Sequence, residues 1–273
     1  MYKREHHQNI ANVLVQLNST LLKEHHCYFG GGTAIALLQN EYRESVDIDF
    51  LVADIASYRD LRQLLTGPDG IHAIAKKGSN LILAREIRAD QYGIRTSIES
   101  GNTKIKFEIV LEGRISFDIP GPSDVIGDIA TLSRLDLMTS KLLANSDRWN
   151  DHAVFSRDII DLVMLNPSKL ELNNALQKAY AAYGDSIHRD LYRAIATLLS
   201  SEHRLEGCMK MLKVDLPKAL LWQKLDDLRS AYLAILNKQI DQKMKQASNS
   251  QVVQFVDSNL KDIDLILAYL KDK

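Results

Sequence analysis

Phe29-Gly30-Gly31-Gly32-Thr33-Ala34-Ile35-Ala36-Leu37, followed by Arg43-Glu44-Ser45-Val46-Asp47-Ile48-Asp49-Phe50, is the stretch on which the reading of this chain turns. The short apolar piece Cys27-Tyr28-Phe29 stops at three glycines, and Thr33 to Leu38 then reads as a helix. Glycines let a backbone approach a ligand closely, and a helix start offers free N–H groups and a positive dipole end. The turn is thus either a phosphate cradle or simply a tight strand-to-helix connection. From Val46 to Ala53 the pattern is strand-like, with Ile48 and Phe50 alternating against Asp47 and Asp49. Residues two apart on a strand share a face, so both carboxylates converge, and paired hard oxygens suit Mg²⁺ or Mn²⁺. Exposed strand faces also carry acids for solubility, so the pair needs its surroundings to be read.

Outward from this stretch, residues 8–25 repeat apolar side chains at helical spacing and 57–65 look helical again. Gly67-Pro68-Asp69-Gly70 is a turn. Strands are expected around 71–76, 81–88, 92–98 and 104–111. The last alternates cleanly, with Ile105, Phe107 and Ile109 on one face and Lys104, Lys106 and Glu108 on the other. If it lies beside the Asp47–Asp49 strand, Glu108 is a third carboxylate; otherwise it is a solvated acid between lysines. Asp118-Ile119-Pro120-Gly121-Pro122-Ser123 is the expected hinge. Beyond it helices are expected at about 131–146, 153–165, 169–183, 186–201, 204–213, 216–245 and 250–271. The fold class is therefore α+β, with a mixed-sheet half over 1–122 followed by an all-helical half over 123–273.

Two features of the helical half bear on chemistry. Lys141 sits on a helix with Leu135, Met138, Leu142 and Leu143, from which it can reach back to phosphates. Arg157-Asp158-Ile159-Ile160-Asp161 opens a later helix, with Asp158 and Asp161 on one face at i, i+3 spacing. Taken alone, these read as surface charges or as a partner of the helix dipole at its N-terminus.

Taken together, the motifs resemble the AbiEii/AbiGii toxin family of DNA-polymerase-β-like nucleotidyltransferases. Members carry a Gly-Gly-[Thr/Ser]-x-Leu turn and then Arg-x-Ser-x-Asp-hydrophobic-Asp. In this chain 14 residues separate Gly32 from Asp47, and Ile35 stands where leucine is commoner. The family also has a lysine on a helix after the sheet and a basic-Asp-x-x-Asp helix, matched by Lys141 and Arg157-Asp158-x-x-Asp161. The similarity spans about residues 28–165. It implies that Gly31, Gly32 and Thr33 hold the triphosphate of an NTP, and that Asp47 and Asp49, with Glu108, bind Mg²⁺ or Mn²⁺. It also implies that Arg43 and Ser45 contact the nucleotide or order the loop, that Lys141 touches phosphates, and that Asp158 or Asp161 orients Lys141 or assists the acceptor. The implied activity is transfer of NMP to an RNA acceptor such as a tRNA 3′ end, by the toxin of a toxin–antitoxin pair. The same fold acting on a protein or small molecule, or a silent nucleotide-binding scaffold, are the rival readings.

Bulk properties agree with a folded enzyme and exclude little else. The 273 residues are 45% hydrophobic and 25% charged, with a net charge of −1, so the molecule as a whole does not attract nucleic acid. A local basic group remains: Lys76, Lys77, Arg85, Arg88, Arg95, Lys104 and Lys106 fall in the sheet half. Cys27 and Cys208 are far apart, as expected of reduced core thiols. The polar N-terminus lacks a secretory h-region and no stretch approaches the roughly 18 apolar residues of a membrane span. The expected location is the cytoplasm, with no membrane partner. His6 and His7 read as exposed helix positions.

Overall fold

Apolar residues alternating with polar ones give strands with one dry face, and three such strands, with one further strand at each edge, form the sheet at the centre of the molecule. The computed structural model describes residues 2–246, with side chains to 239. Before and between the first strands run α1 (Glu5–Leu14), α2 (Ser19–Glu24), α3 (Gly31–Leu38) and α4 (Ile55–Thr66). The strands are β1 (Tyr28–Phe29), β2 (Ile48–Val52), β3 (Ile82–Ala89), β4 (Gly93–Ser100) and β5 (Thr103–Leu111), in the order β1-β2-β5-β4-β3. β2 and β5 are parallel; every other neighbouring pair is antiparallel. On the dry face Phe29, Phe50 and Phe107 stand in a row across β1, β2 and β5, with ring centroids 5.5 and 5.6 Å apart. All three are buried.

A small ribbon, β6 (Val125–Ile126) and β7 (Ile129–Ala130), leads to the helices α5 (Arg134–Arg148), α6 (Arg157–Met164), α7 (Lys169–Tyr183), α8 (Ser186–Leu199), α9 (Glu202–Met211) and α10 (Lys218–Gln246). Thr131 bridges Phe29 in parallel, and the Leu132 N–H donates to the Phe29 carbonyl at 2.9 Å. The chain is thus stitched to the edge of the sheet just before Ser133 caps α5. α5 packs on α6, α7 and α8, while α3 packs on α6. Among the described residues no helix is long and apolar enough to cross a membrane.

Several expected elements differ. The helix over 8–25 is two helices, because Leu17 bridges Ala75 and Asn18 caps α2 by accepting from the Leu21 N–H. The strand expected at 71–76 is a 3₁₀ turn, Gly70–Ile74; Ile71 and Ile74, one turn apart, are both buried. The helix expected from 153 starts at Arg157, because Phe155 and Ser156 adopt left-handed backbone (φ 51° and 52°) and break it from a 3₁₀ turn at His152–Val154. The β6–β7 ribbon is too short to show as alternation. The helix expected at 250–271 lies outside the described residues.

Replacing Phe50, the middle of the aromatic row, with alanine should lower unfolding free energy by about 3–5 kcal/mol, read as a fall in the urea midpoint with unchanged slope.

Candidate active site

The wet face of the sheet gathers the acids. Asp49 is paired with Glu108 in the parallel β2–β5 ladder, so their side chains share a face. Asp47 immediately precedes β2, which begins at Ile48 rather than at Val46. Burial, and then the charges of Asp47 and Glu108, push the Asp49 carboxyl up to about 6, against a smaller pull from Lys106 and Lys141. Asp49 therefore feels both neighbouring carboxylates and a lysine from the helical half. Glu108 is drawn toward Arg95 (3.1 Å) and Lys106 (2.6 Å). Gly31 lies against Asp49: at φ +67° it is in the left-handed region, and a Cβ there would stand 2.6 Å from Asp49 Oδ2. Glycine is required at this position by backbone and by space.

Behind the glycine turn lies a buried cluster of charges. Arg43 Nε and Nη2 donate to the two oxygens of Asp161 at 2.7 and 2.9 Å, and Nη1 donates to the Glu44 carbonyl at 2.8 Å. A Cβ on Gly32 would collide with the Arg43 guanidinium, so this glycine makes room for the pair. Tyr42 Oη also donates to Asp161. Lys141 Nζ lies 2.6 Å from Asp161 and 3.0 Å from Asp158, and Asp158 is further held by Arg148 Nε at 2.6 Å. Arg43, Lys141, Asp158 and Asp161 are all buried. Burial raises the Asp161 carboxyl, but Arg43 and Lys141 outweigh it and hold it below the ordinary range; Lys141 and Arg148 do the same for Asp158. The surface-charge reading of these aspartates therefore does not hold, while Asp158 does stand in the first turn of α6.

The sequence reading also placed His7 at the surface, whereas it is fully buried. Its Nδ1 faces Glu41 at 2.9 Å, and Nε2 accepts the Ser45 N–H at 3.2 Å. Burial lowers its pKa, so the neutral ring donates from Nδ1 and accepts at Nε2. Ser45 Oγ accepts from the Thr33 hydroxyl at 2.8 Å, tying the loop to the glycine-turn helix. Glu41 also accepts the Lys3 and Arg4 N–H groups. The signal was available: His7, Ile10 and Leu14 share the inward stripe of α1.

Hard carboxylate oxygens brought together, with one carboxyl pushed upward by burial and then by the other two, fit a divalent cation. Among the described residues no three such ligands already close around one point, since Glu108 is held by Arg95 and Lys106. Phosphate oxygens and water would complete the shell.

Acids gathered against a glycine turn on a mixed sheet suit a phosphate-transferring enzyme. The sequence from 12 to 254 matches the family described as nucleotidyl transferase AbiEii toxin, type IV TA system. The chain belongs to this family and is a nucleotidyltransferase. No curated protein matches it. A crystal structure of a candidate nucleotidyltransferase from H. pylori superposes with a TM-score of 0.49 at 17% identity, over 85% of this chain and 94% of that one; the assignment does not rest on it.

Two aspartates should respond oppositely to amide substitution. Asp161→Asn leaves Arg43 and Lys141 short of a buried counter-charge and should cost about 3–5 kcal/mol. Because the folded pKa is depressed, the carboxylate's contribution is present above the unfolded pKa and lost as pH falls through the folded one, so the variant's acid arm should be flatter. Asp49→Asn removes a raised carboxyl and, in metal-free buffer at pH 7, should stabilise by about 1–2 kcal/mol, a gain that shrinks as pH falls from about 6 toward 4. Thermal melts from about pH 2 to pH 8, spanning the unfolded aspartate pKa of about 3.9, check both; a stabilising Asp161→Asn would contradict the buried cluster.

Proposed function

We propose that this chain transfers NMP from an NTP to an RNA acceptor, with a tRNA 3′ end as target. In this reading it is the toxin of a toxin–antitoxin pair, acts in the cytoplasm beside a cognate antitoxin, and depends on Mg²⁺ or Mn²⁺. The observation that carries the reading is Asp49, set between Asp47, Glu108 and the Gly31 backbone. Asp47 and Asp49, with Glu108 in reserve, would hold the cation, which supplies charge neutralisation at the phosphates and a more acidic acceptor hydroxyl. Gly31, Gly32 and the start of α3 offer backbone donors to the triphosphate. Arg43 does not reach for nucleotide in this reading: bound to Asp161, it orders the loop that carries Ser45 and Asp47, and Thr33 helps by fixing Ser45. Lys141, oriented by Asp158 and Asp161, supplies a fixed positive charge close to Asp49 for the α-phosphate as charge develops. The acceptor hydroxyl oxygen attacks the α-phosphorus in line, its proton passing to a carboxylate or to water, and pyrophosphate leaves. The sheet half over 1–122 is read as the catalytic domain and 123–273 as a helical domain that contributes Lys141, Asp158 and Asp161.

Incubation with each α-³²P-NTP, Mg²⁺ or Mn²⁺ and total bacterial RNA should label tRNA, and Asp47→Ala/Asp49→Ala should reduce label by about 10³-fold or more. Label on protein would move the function to protein modification. Nucleotide binding with no label from any NTP would sink the catalytic reading.

A further inference from the structure

The wet face of the sheet continues past the carboxylates as a basic surface. In one ladder Asp49 pairs with Glu108, Glu108 with Arg95 and Arg95 with Arg88. In the next, Lys106 pairs with Ser97 and Ser97 with Arg85, while Lys104 pairs with Glu99. Paired residues share a face, so Arg85, Arg88, Arg95, Lys104 and Lys106 stand on the side that carries Asp49. The opposite side, with Ile94, Ile98, Ile105, Phe107 and Ile109, is buried core. Arg85, Arg88, Lys104 and Lys106 are exposed, so among the described residues nothing covers this part of the sheet.

The charges change character with distance from Asp49. Nearest to it, Glu108 engages Arg95 and Lys106, and Asp90 takes Arg95 as well. Farther out, Arg85, Arg88 and Lys104 have no carboxylate within ion-pair distance among the described residues. A chain with net charge −1 has thus gathered cations on a sheet face that runs into its acidic centre, with Glu99 beside Lys104. Neighbouring ladders repeat about every 7 Å along a strand, and strands about every 5 Å across it, so the cations form a grid able to follow a phosphate backbone.

We propose that the open face of β3, β4 and β5 is the docking surface for the RNA acceptor, with Arg85, Arg88 and Lys104 contacting its phosphates while its reactive end reaches Asp49. This rests on the RNA reading of the function. An RNA backbone is favoured over an acidic protein because the grid is regular and flat, leads directly to the carboxylates, and offers few apolar anchors of the kind a protein interface needs.

The test is fluorescence anisotropy of fluorescein-labelled bulk tRNA titrated with full-length protein between 50 and 300 mM KCl, on the order of physiological salt. The variant Arg85→Gln/Arg88→Gln/Lys104→Gln keeps its polar stems; Arg59→Gln/Arg62→Gln/Lys210→Gln removes the same charge from exposed positions elsewhere. The first variant should bind tRNA at least about 10-fold more weakly at 0.1 M salt, with the slope of log K against log salt reduced by about 2–3. The second should bind as wild type does, and both should melt like wild type and bind NTP unchanged. Equal tRNA binding and slope in the first variant would overturn the surface while leaving the function standing if wild type still labels RNA. Displacement of tRNA as readily by poly-L-glutamate as by unlabelled tRNA would assign the face to acidic protein and overturn the proposal. Failure of wild type to bind tRNA at all would overturn it too, and label transfer to another acceptor would show that the RNA reading was the part that failed.

Discussion

Asp161 is the point on which the arrangement depends. It is fully buried, carries a charge, and accepts from Tyr42, Arg43 and Lys141, groups contributed by the loop before β2 and by α5. A lone carboxylate in that setting would neutralise itself, and two cations without it would be just as costly. The pairs hold one another in place. Because the bidentate Arg43–Asp161 contact fixes a plane as well as a distance, the loop from Tyr42 to Asp47 has one position, and Gly32 has to be small to admit it.

That rigid backing frees the front of the site to be uncomfortable. Asp49 is buried and crowded by Asp47 and Glu108, and its carboxyl is pushed up to about 6, a condition that stability alone would remove. The two acidic groups of the molecule are thus opposites: Asp158 and Asp161 are held down by matched cations, whereas Asp49 is left without enough positive charge. His7 extends the backing to the N-terminal helix, since its ring bridges Glu41 and the Ser45 backbone while Thr33 holds the Ser45 side chain.

Local signals in the sequence carried the elements well. Alternation around Phe50 and Phe107, the glycines before Thr33, and the Asp-x-Asp spacing were all legible because each depends on residues a few positions apart. Partnerships were less so. Strand periodicity shows that Glu108 faces away from Ile109, but cannot show that β5 lies parallel to β2, which is what places Glu108 opposite Asp49. Arg43 could equally have faced a ligand, and its burial follows only from Asp161 standing behind it. The 71–76 segment failed as a strand because Ile71 and Ile74, three positions apart, share one face of a 3₁₀ turn but would point to opposite faces of a strand. His7 was legible on the apolar stripe of α1, but polarity outweighed position in that reading.

Arg43 and Asp161 are separated by 118 residues of chain. During synthesis, at 5–20 residues per second, roughly 6–24 s pass between the making of one and the other. Through that interval the β2 strand and its carboxylates exist without the counter-charge that positions the preceding loop. A nascent chain therefore has its acidic residues before it has the buried counter-charge that fixes the loop leading to them.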